Sequence, residues 1–123
     1  MLVVDDEALI RWSLTEGLRE AGYEVCQAAS GAEASSIVRH CAHQPLVIVL
    51  DLRLPDVADL SLVRALRAER PDAAMILMTA HGTPADMAQA RIAGVSFVVD
   101  KPFDVAEMVA LVGQAWTKSG LYS

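Results

Sequence analysis

A three-layer α/β sandwich, a parallel sheet with helices on both faces, is the fold this sequence predicts. Three observations carry that expectation. Short apolar runs alternate with helix-period segments about five times along the 123 residues. The run Leu46–Leu50 is apolar at every position, which suits a central strand buried on both faces. The polar residues that stand beside the runs fall at their C-terminal ends: Asp5 and Asp6, Asp51, Thr79 and Lys101. The length suits one domain able to bury its own core.

The elements follow in order. The first strand is Leu2–Val4 and starts almost at Met1. A helix over Ala8–Ala21 places Ile10, Leu14, Leu18 and Ala21 on one face, and Gly22 supplies the stop. The second strand is read over Glu24–Ala28. Ser30-Gly-Ala-Glu33 has the form of a capping box opening a helix with Ala34, Ile37, Val38 and Cys41 inward. Pro45 leads into the central strand. The third helix is expected over Asp59–Glu69, with Leu62, Val63 and Leu66 inward and Pro71 ending it. The fourth strand is read over Ala74–Met78. Thr83-Pro84 pairs a cap residue with proline in the first turn, and opens an alanine-rich, weakly amphipathic helix that Gly94 closes. The fifth strand covers Ser96–Val99. Asp104-Val-Ala-Glu107 is a second capping-box pattern, before a helix that buries Met108, Leu111, Val112 and Ala115. The domain is therefore read over residues 1–118, with 119–123 a tail or the start of a linker.

Composition narrows the function. Hydrophobic residues make up 54% and the net charge is -6, so a folded core is expected and direct nucleic-acid contact is not, since phosphate binding needs clustered Lys and Arg. No apolar stretch reaches the roughly 18 residues of a membrane span, and no signal segment opens the chain, so a cytoplasmic setting is expected. Cys26 and Cys41 lack metal-ligand spacing and are read as buried or half-buried free thiols. His40 and His43 are read as surface residues.

The strand-end residues carry the chemistry. In open parallel sheets, ligands bind outside the carboxyl ends of the strands. One acidic pair there would merely complement a helix dipole. Several carboxylates together are a different matter. Two carboxylates about 5 Å apart repel by roughly 3 kcal/mol at an effective dielectric near 20, and a hard cation resolves the conflict. Magnesium, with manganese as a substitute, takes such oxygen ligands. Asp6 and Asp51 are assigned as direct ligands, the backbone carbonyl of Arg53 as a third, and Asp5 as a water-mediated or second ligand. Asp51 can then accept a phosphoryl group as an acyl phosphate. Lys101 would pair with one phosphoryl oxygen and the Thr79 hydroxyl would donate to another. Proline locks the turn at Lys101-Pro102, and this bond is a candidate for the cis form.

The strings VVDDE at Val3–Glu7, VLDLRLP at Val49–Pro55, MTAHG at Met78–Gly82 and DKPFD at Asp100–Asp104 resemble the receiver domain of two-component response regulators, in its order and spacing. IRWSL at Ile10–Leu14, TAH and KPFD look like the NtrC-type activators of sigma-54 transcription. The resemblance implies a flavodoxin-like sandwich of five parallel strands, ordered 2-1-3-4-5, with five helices. It implies a signalling switch and not an enzyme acting on other substrates. A sensor histidine kinase would phosphorylate Asp51 with magnesium present, and the change would pass to the fourth helix, fifth strand and fifth helix, controlling a transcription-regulating output. A homodimer is possible within the family, and a longer parent with an ATPase and a DNA-binding domain is favoured. The alternatives are a stand-alone receiver or adaptor, and a magnesium-dependent phosphatase with an aspartyl nucleophile. The last needs a second aspartate two residues after the nucleophile, where Arg53 stands.

The resemblance also marks Arg53 and His81 as positions that tune the phosphate's lifetime. Two departures from the pattern stand out. An aromatic residue is usual at position 98, which holds Val98, while Phe97 is one residue early and, by strand alternation, on the opposite face. Asp-Gly is frequent where this chain has Ala58-Asp59, a difference expected to alter kinase docking or dimer contacts.

Overall fold

A computed structural model describes residues 1–40, 47–51, 60–80 and 83–118, the side chains of 117 and 118 excepted. The elements run β1 (Leu2–Val4), α1 (Ala8–Glu20), β2 (Cys26–Ala28), α2 (Gly31–His40), β3 (Val47–Asp51), α3 (Ser61–Glu69), β4 (Ala74–Thr79), α4 (Pro84–Ile92), β5 (Phe97–Asp100) and α5 (Val105–Lys118). All strands are parallel and lie in the order β2-β1-β3-β4-β5. The α/β sandwich and its strand order are thus as read from the sequence.

Strand alternation splits the core into two layers. Leu2, Val4, Ile48, Leu50, Met75 and Leu77 face one side, where α2, α3 and α4 add Ala34, Val38, Leu62, Val63, Leu66 and Ala90. Val3, Val47, Val49, Ile76 and Met78 face the other, against Leu14 and Leu18 of α1 and Met108, Val112 and Ala115 of α5. Each large side chain so buried contributes about 1.5–3 kcal/mol. β1, β3 and β4 are buried at every residue, because both faces are covered.

The helix ends obey local chemistry. Gly22 and Gly94 take positive φ just beyond α1 and α4, where a side chain would be strained. Thr83 and Asp86 form a reciprocal capping box on α4, with Pro84 in its first turn. At α2, Ser30 Oγ accepts from the Glu33 amide, but the Glu33 carboxylate reaches the Ala29 amide, one residue before the box predicts. α4 buries only Ala90 among its residues. Its far end is held from outside: the Arg67 guanidinium of α3 donates to the carbonyls of Pro71, Ala73 and Gly94. α1 and α5 pack closely, with Gly17 against Val105 and the Tyr23 and Trp116 rings 5.4 Å apart.

Some expectations change. β2 starts at Cys26, two residues later than expected, and Cys26 is exposed instead of buried. An edge strand has a neighbour on one side only, so its outer residues stay uncovered. β3 and β4 extend to Asp51 and Thr79, and β5 is displaced by one residue. Ala21 is exposed, and His40 is exposed as expected. Cys41, His43 and the tail at 119–123 lie outside the described residues.

Candidate functional site

Register brings the acidic residues together. Val4 of β1 pairs with Leu50 of β3, so the next residues, Asp5 and Asp51, stand level on adjacent strands. Asp6 follows Asp5 in the turn before α1. One carboxylate oxygen from each of Asp5, Asp6 and Asp51 lies within 4.8 Å of the others; Asp5 and Asp51 are buried and Asp6 is exposed. The fold tolerates this crowding because a cation of its own stands opposite. Lys101 Nζ is 3.1 Å from Asp51 Oδ2 and 3.3 Å from Asp5 Oδ2.

Lys101 comes from the end of β5, beyond β4, and its long side chain spans that strand to reach β3. Its amide donates to the Thr79 carbonyl at 2.7 Å, and the Lys101-Pro102 bond is cis. Thr79 ends β4, buried, and pairs with Asp100. It stands one residue past Met78, the partner of Asp51.

The β1–α1 turn is held by bonds between side chains and backbone. The Glu7 amide donates to Asp5 Oδ1 at 2.9 Å, and Arg11 Nη1 donates to the Asp5 carbonyl at 2.7 Å. Glu7 Oε1 lies 3.7 Å from Lys101 Nζ, the third carboxylate on that ammonium. Burial raises the Asp5 carboxyl above its ordinary value, opposed by the Glu7 amide and Lys101, while Asp51 adds to the rise. For Lys101, burial works against the charged form, but Asp51 and Asp5 outweigh it and its pKa rises.

The site therefore joins Asp5, Asp6, Asp51 and Lys101, with Thr79 at the adjoining strand end. Arg53, His81, Ala58 and Asp59 lie outside the described residues. Val98 packs on the α3/α4 side and Phe97 on the α1/α5 side, the opposite faces that strand alternation requires. Sequence reasoning does not single out Glu7 or Arg11. The signal for Glu7 is a third acidic residue in the Asp5-Asp6-Glu7 run; for Arg11 there is none beyond its place in α1. Beside the site lies a pocket of about 490 Å³, walled by Leu9, Ile10, Pro102 and Phe103, with Glu7 and Lys101 also lining it.

Chemically, three oxygens so close suit a hard divalent cation, and the buried carboxylate of Asp51 beside an ammonium suits an acceptor of an electrophilic phosphoryl group. No described helix is long and apolar enough to cross a membrane.

The family model described as the response regulator receiver domain matches residues 1–113. PrrA, a transcriptional regulatory protein of Mycobacterium tuberculosis, is 38% identical over 91% of this chain and 47% of its own length. The DNA-binding transcriptional regulator NtrC of Escherichia coli is 34% identical over 92% of this chain and 24% of its own. The chain thus spans about half the length of one relative and a quarter of the other. Among solved structures, the beryllofluoride-activated receiver domain dimer of NtrC4 superposes with a TM-score of 0.88, at 31% identity, covering 96% of each chain.

Proposed function

The chain belongs to the response regulator receiver domain family, and on that premise we propose that Asp51 is the phosphoryl acceptor of a magnesium-dependent signalling switch. Receiver domains are signalling switches and not enzymes in the usual sense. The observation that carries the reading is the meeting of Asp5, Asp6 and Asp51 within 4.8 Å, with Lys101 bridging two of them.

The donor set fits magnesium, or manganese, held by Asp6 and Asp51 with Asp5 and the Arg53 carbonyl completing the set. When bound, the ion neutralises the carboxylates and the equatorial phosphoryl oxygens. The chain's own residues do the rest. Asp51 attacks phosphorus as the N–P bond of a phosphohistidine breaks, and the leaving imidazole keeps the electron pair and takes a proton. Lys101 then follows the charge from the carboxylate to a phosphoryl oxygen, and the Thr79 hydroxyl donates to another. The added dianion shifts the loosely packed α4, and with it β5 and α5. Arg53 and His81, two residues past Asp51 and Thr79 in the sequence, tune the phosphate's lifetime.

The donor is a sensor histidine kinase in the cytoplasm. The exposed Leu9, which lines the pocket holding Lys101, and the exposed Trp12 of α1 give it apolar surface to meet. The receiver spans 1–118, with 119–123 a tail or the start of a linker to a transcription-regulating output of the NtrC type, and the dimer of the activated NtrC4 receiver supports a homodimer as its assembly. Acetyl phosphate with Mg2+ tests the reading by intact mass. The wild type should gain one phosphoryl group and Asp51→Asn none; a wild type that gains nothing, or a variant that still gains it, overturns it.

A further inference from the structure

We infer that Glu7 sets phosphodonor specificity at this site: its carboxylate competes with an incoming phosphoryl group for the Lys101 ammonium, and so disfavours small, highly charged donors. The inference rests on Asp51 being the acceptor.

Glu7 is the N-cap residue of α1, yet its side chain makes no capping hydrogen bond. The usual cap side chains are shorter and turn back on the helix amides. The Glu7 carboxylate instead extends to within 3.7 Å of Lys101 Nζ. Three carboxylates thus surround one ammonium, which has three protons to offer. They are not equivalent. Asp5 and Asp51 are close, buried and part of the acidic cluster. Glu7 is the most distant, its side chain is 61% exposed, and the cluster does not include it.

Lys101 must leave the Asp51 carboxylate for a phosphoryl oxygen, and Glu7, held to the ammonium by charge alone at 3.7 Å, pulls against that move. The longest and most exposed contact is the cheapest to break. Glu7 also faces solvent, where a small anionic donor arrives, so the same carboxylate repels the donor before transfer and withholds the lysine during it. A donor presented by a protein can offset both effects with contacts elsewhere on the surface; acetyl phosphate cannot.

The test compares wild type, Glu7→Gln and Glu7→Asp with acetyl phosphate and Mg2+. An O–P bond forms at Asp51 as the O–P bond of acetyl phosphate breaks, and acetate leaves with the electron pair. Intact mass gives the rate, and amide shifts of Thr79 and Lys101 give beryllofluoride affinity as a readout without turnover. Glu7→Gln should raise both by about two- to fivefold, the scale of a part-exposed ion pair. Glu7→Asp keeps the charge but is one methylene too short for the contact, so it should show the part of the gain that the lysine contact carries. An unchanged or slower Glu7→Gln overturns the inference. So does Glu7→Asp behaving as wild type, since charge alone would then explain the gain. A wild type that takes up neither group sinks the reading of Asp51 itself, and this inference with it; a competent wild type matched by Glu7→Gln sinks only the role of Glu7. Thermal midpoints should coincide, because the side chain is exposed.

Discussion

Replacing Lys101 with methionine removes a charge while keeping most of the side chain's length, and the geometry sets the size of the effect. At an effective dielectric near 20, ion pairs at 3.1 and 3.3 Å are each worth about 5 kcal/mol. Each pair among three carboxylates within 4.8 Å repels by about 3 kcal/mol. The ammonium therefore offsets nearly all of the repulsion among Asp5, Asp6 and Asp51. Without it, two buried carboxylates lose their counter-charge, a loss worth about 3–5 kcal/mol in comparable buried pairs. Urea unfolding at pH 7 without Mg2+ should show a deficit of that size. The deficit should shrink toward pH 5, because Asp5, already raised by burial, protonates more readily once the lysine is gone. Saturating Mg2+ should restore more stability to Lys101→Met than to wild type. In the wild type, the raised lysine contributes stability that is present below pH 10.5 and is lost as pH climbs through its higher folded value. A Lys101→Met protein within about 1 kcal/mol of wild type at pH 7 would refute this account of the ammonium, and so would Mg2+ stabilising both equally.

Three further outcomes concern the frame around the site. Gly17→Ala would gain about 1 kcal/mol of helix propensity, but its new methyl would clash with Val105 Cγ1. Overpacking of that kind costs about 1–3 kcal/mol, so thermal unfolding should show a net loss of about 1 kcal/mol, recovered by adding Val105→Ala. Thr15→Val should stabilise by about 1 kcal/mol in urea titrations, because the Thr15 hydroxyl is buried with no hydrogen-bond partner among the described residues. Asp72 is held below its ordinary pKa chiefly by a hydrogen bond from Arg70. Its contribution is thus present above pH 3.8 and lost as pH falls through the lower folded value. Being half exposed, the pair is worth only a few tenths of a kcal/mol, so Asp72→Asn should cost that much at pH 7 and progressively less as pH falls below 3.8.

The strands and the acidic site were legible because both follow from short-range pattern. An all-apolar run such as Leu46–Leu50 admits few readings besides a doubly covered strand, and parallel strands bring their C-terminal residues to one edge. Asp5 and Asp51, some forty-five positions apart, therefore met without any contact being read directly. What escaped depends on tertiary detail. Cys26 looked like an interior residue because an edge strand and a central strand share the same local composition. Glu7 looked like one more acid at a helix start; its contact with Lys101 exists only once β5 is placed two strands from β3. Gly17 carried no sign that α5 would press against it, and Arg67 none that its guanidinium would gather three carbonyls from two separate turns.

That last arrangement has a mechanical consequence. A helix of nine residues is about 13 Å long. With Arg67 fastening the Gly94 end and Ala90 seated close by, α4 behaves as a lever whose fulcrum sits far from the reacting edge. A displacement of about 1 Å at Thr83 then tilts the whole rod by roughly 4°, given that rise per residue. Outward-facing groups such as Ile92 would turn with it.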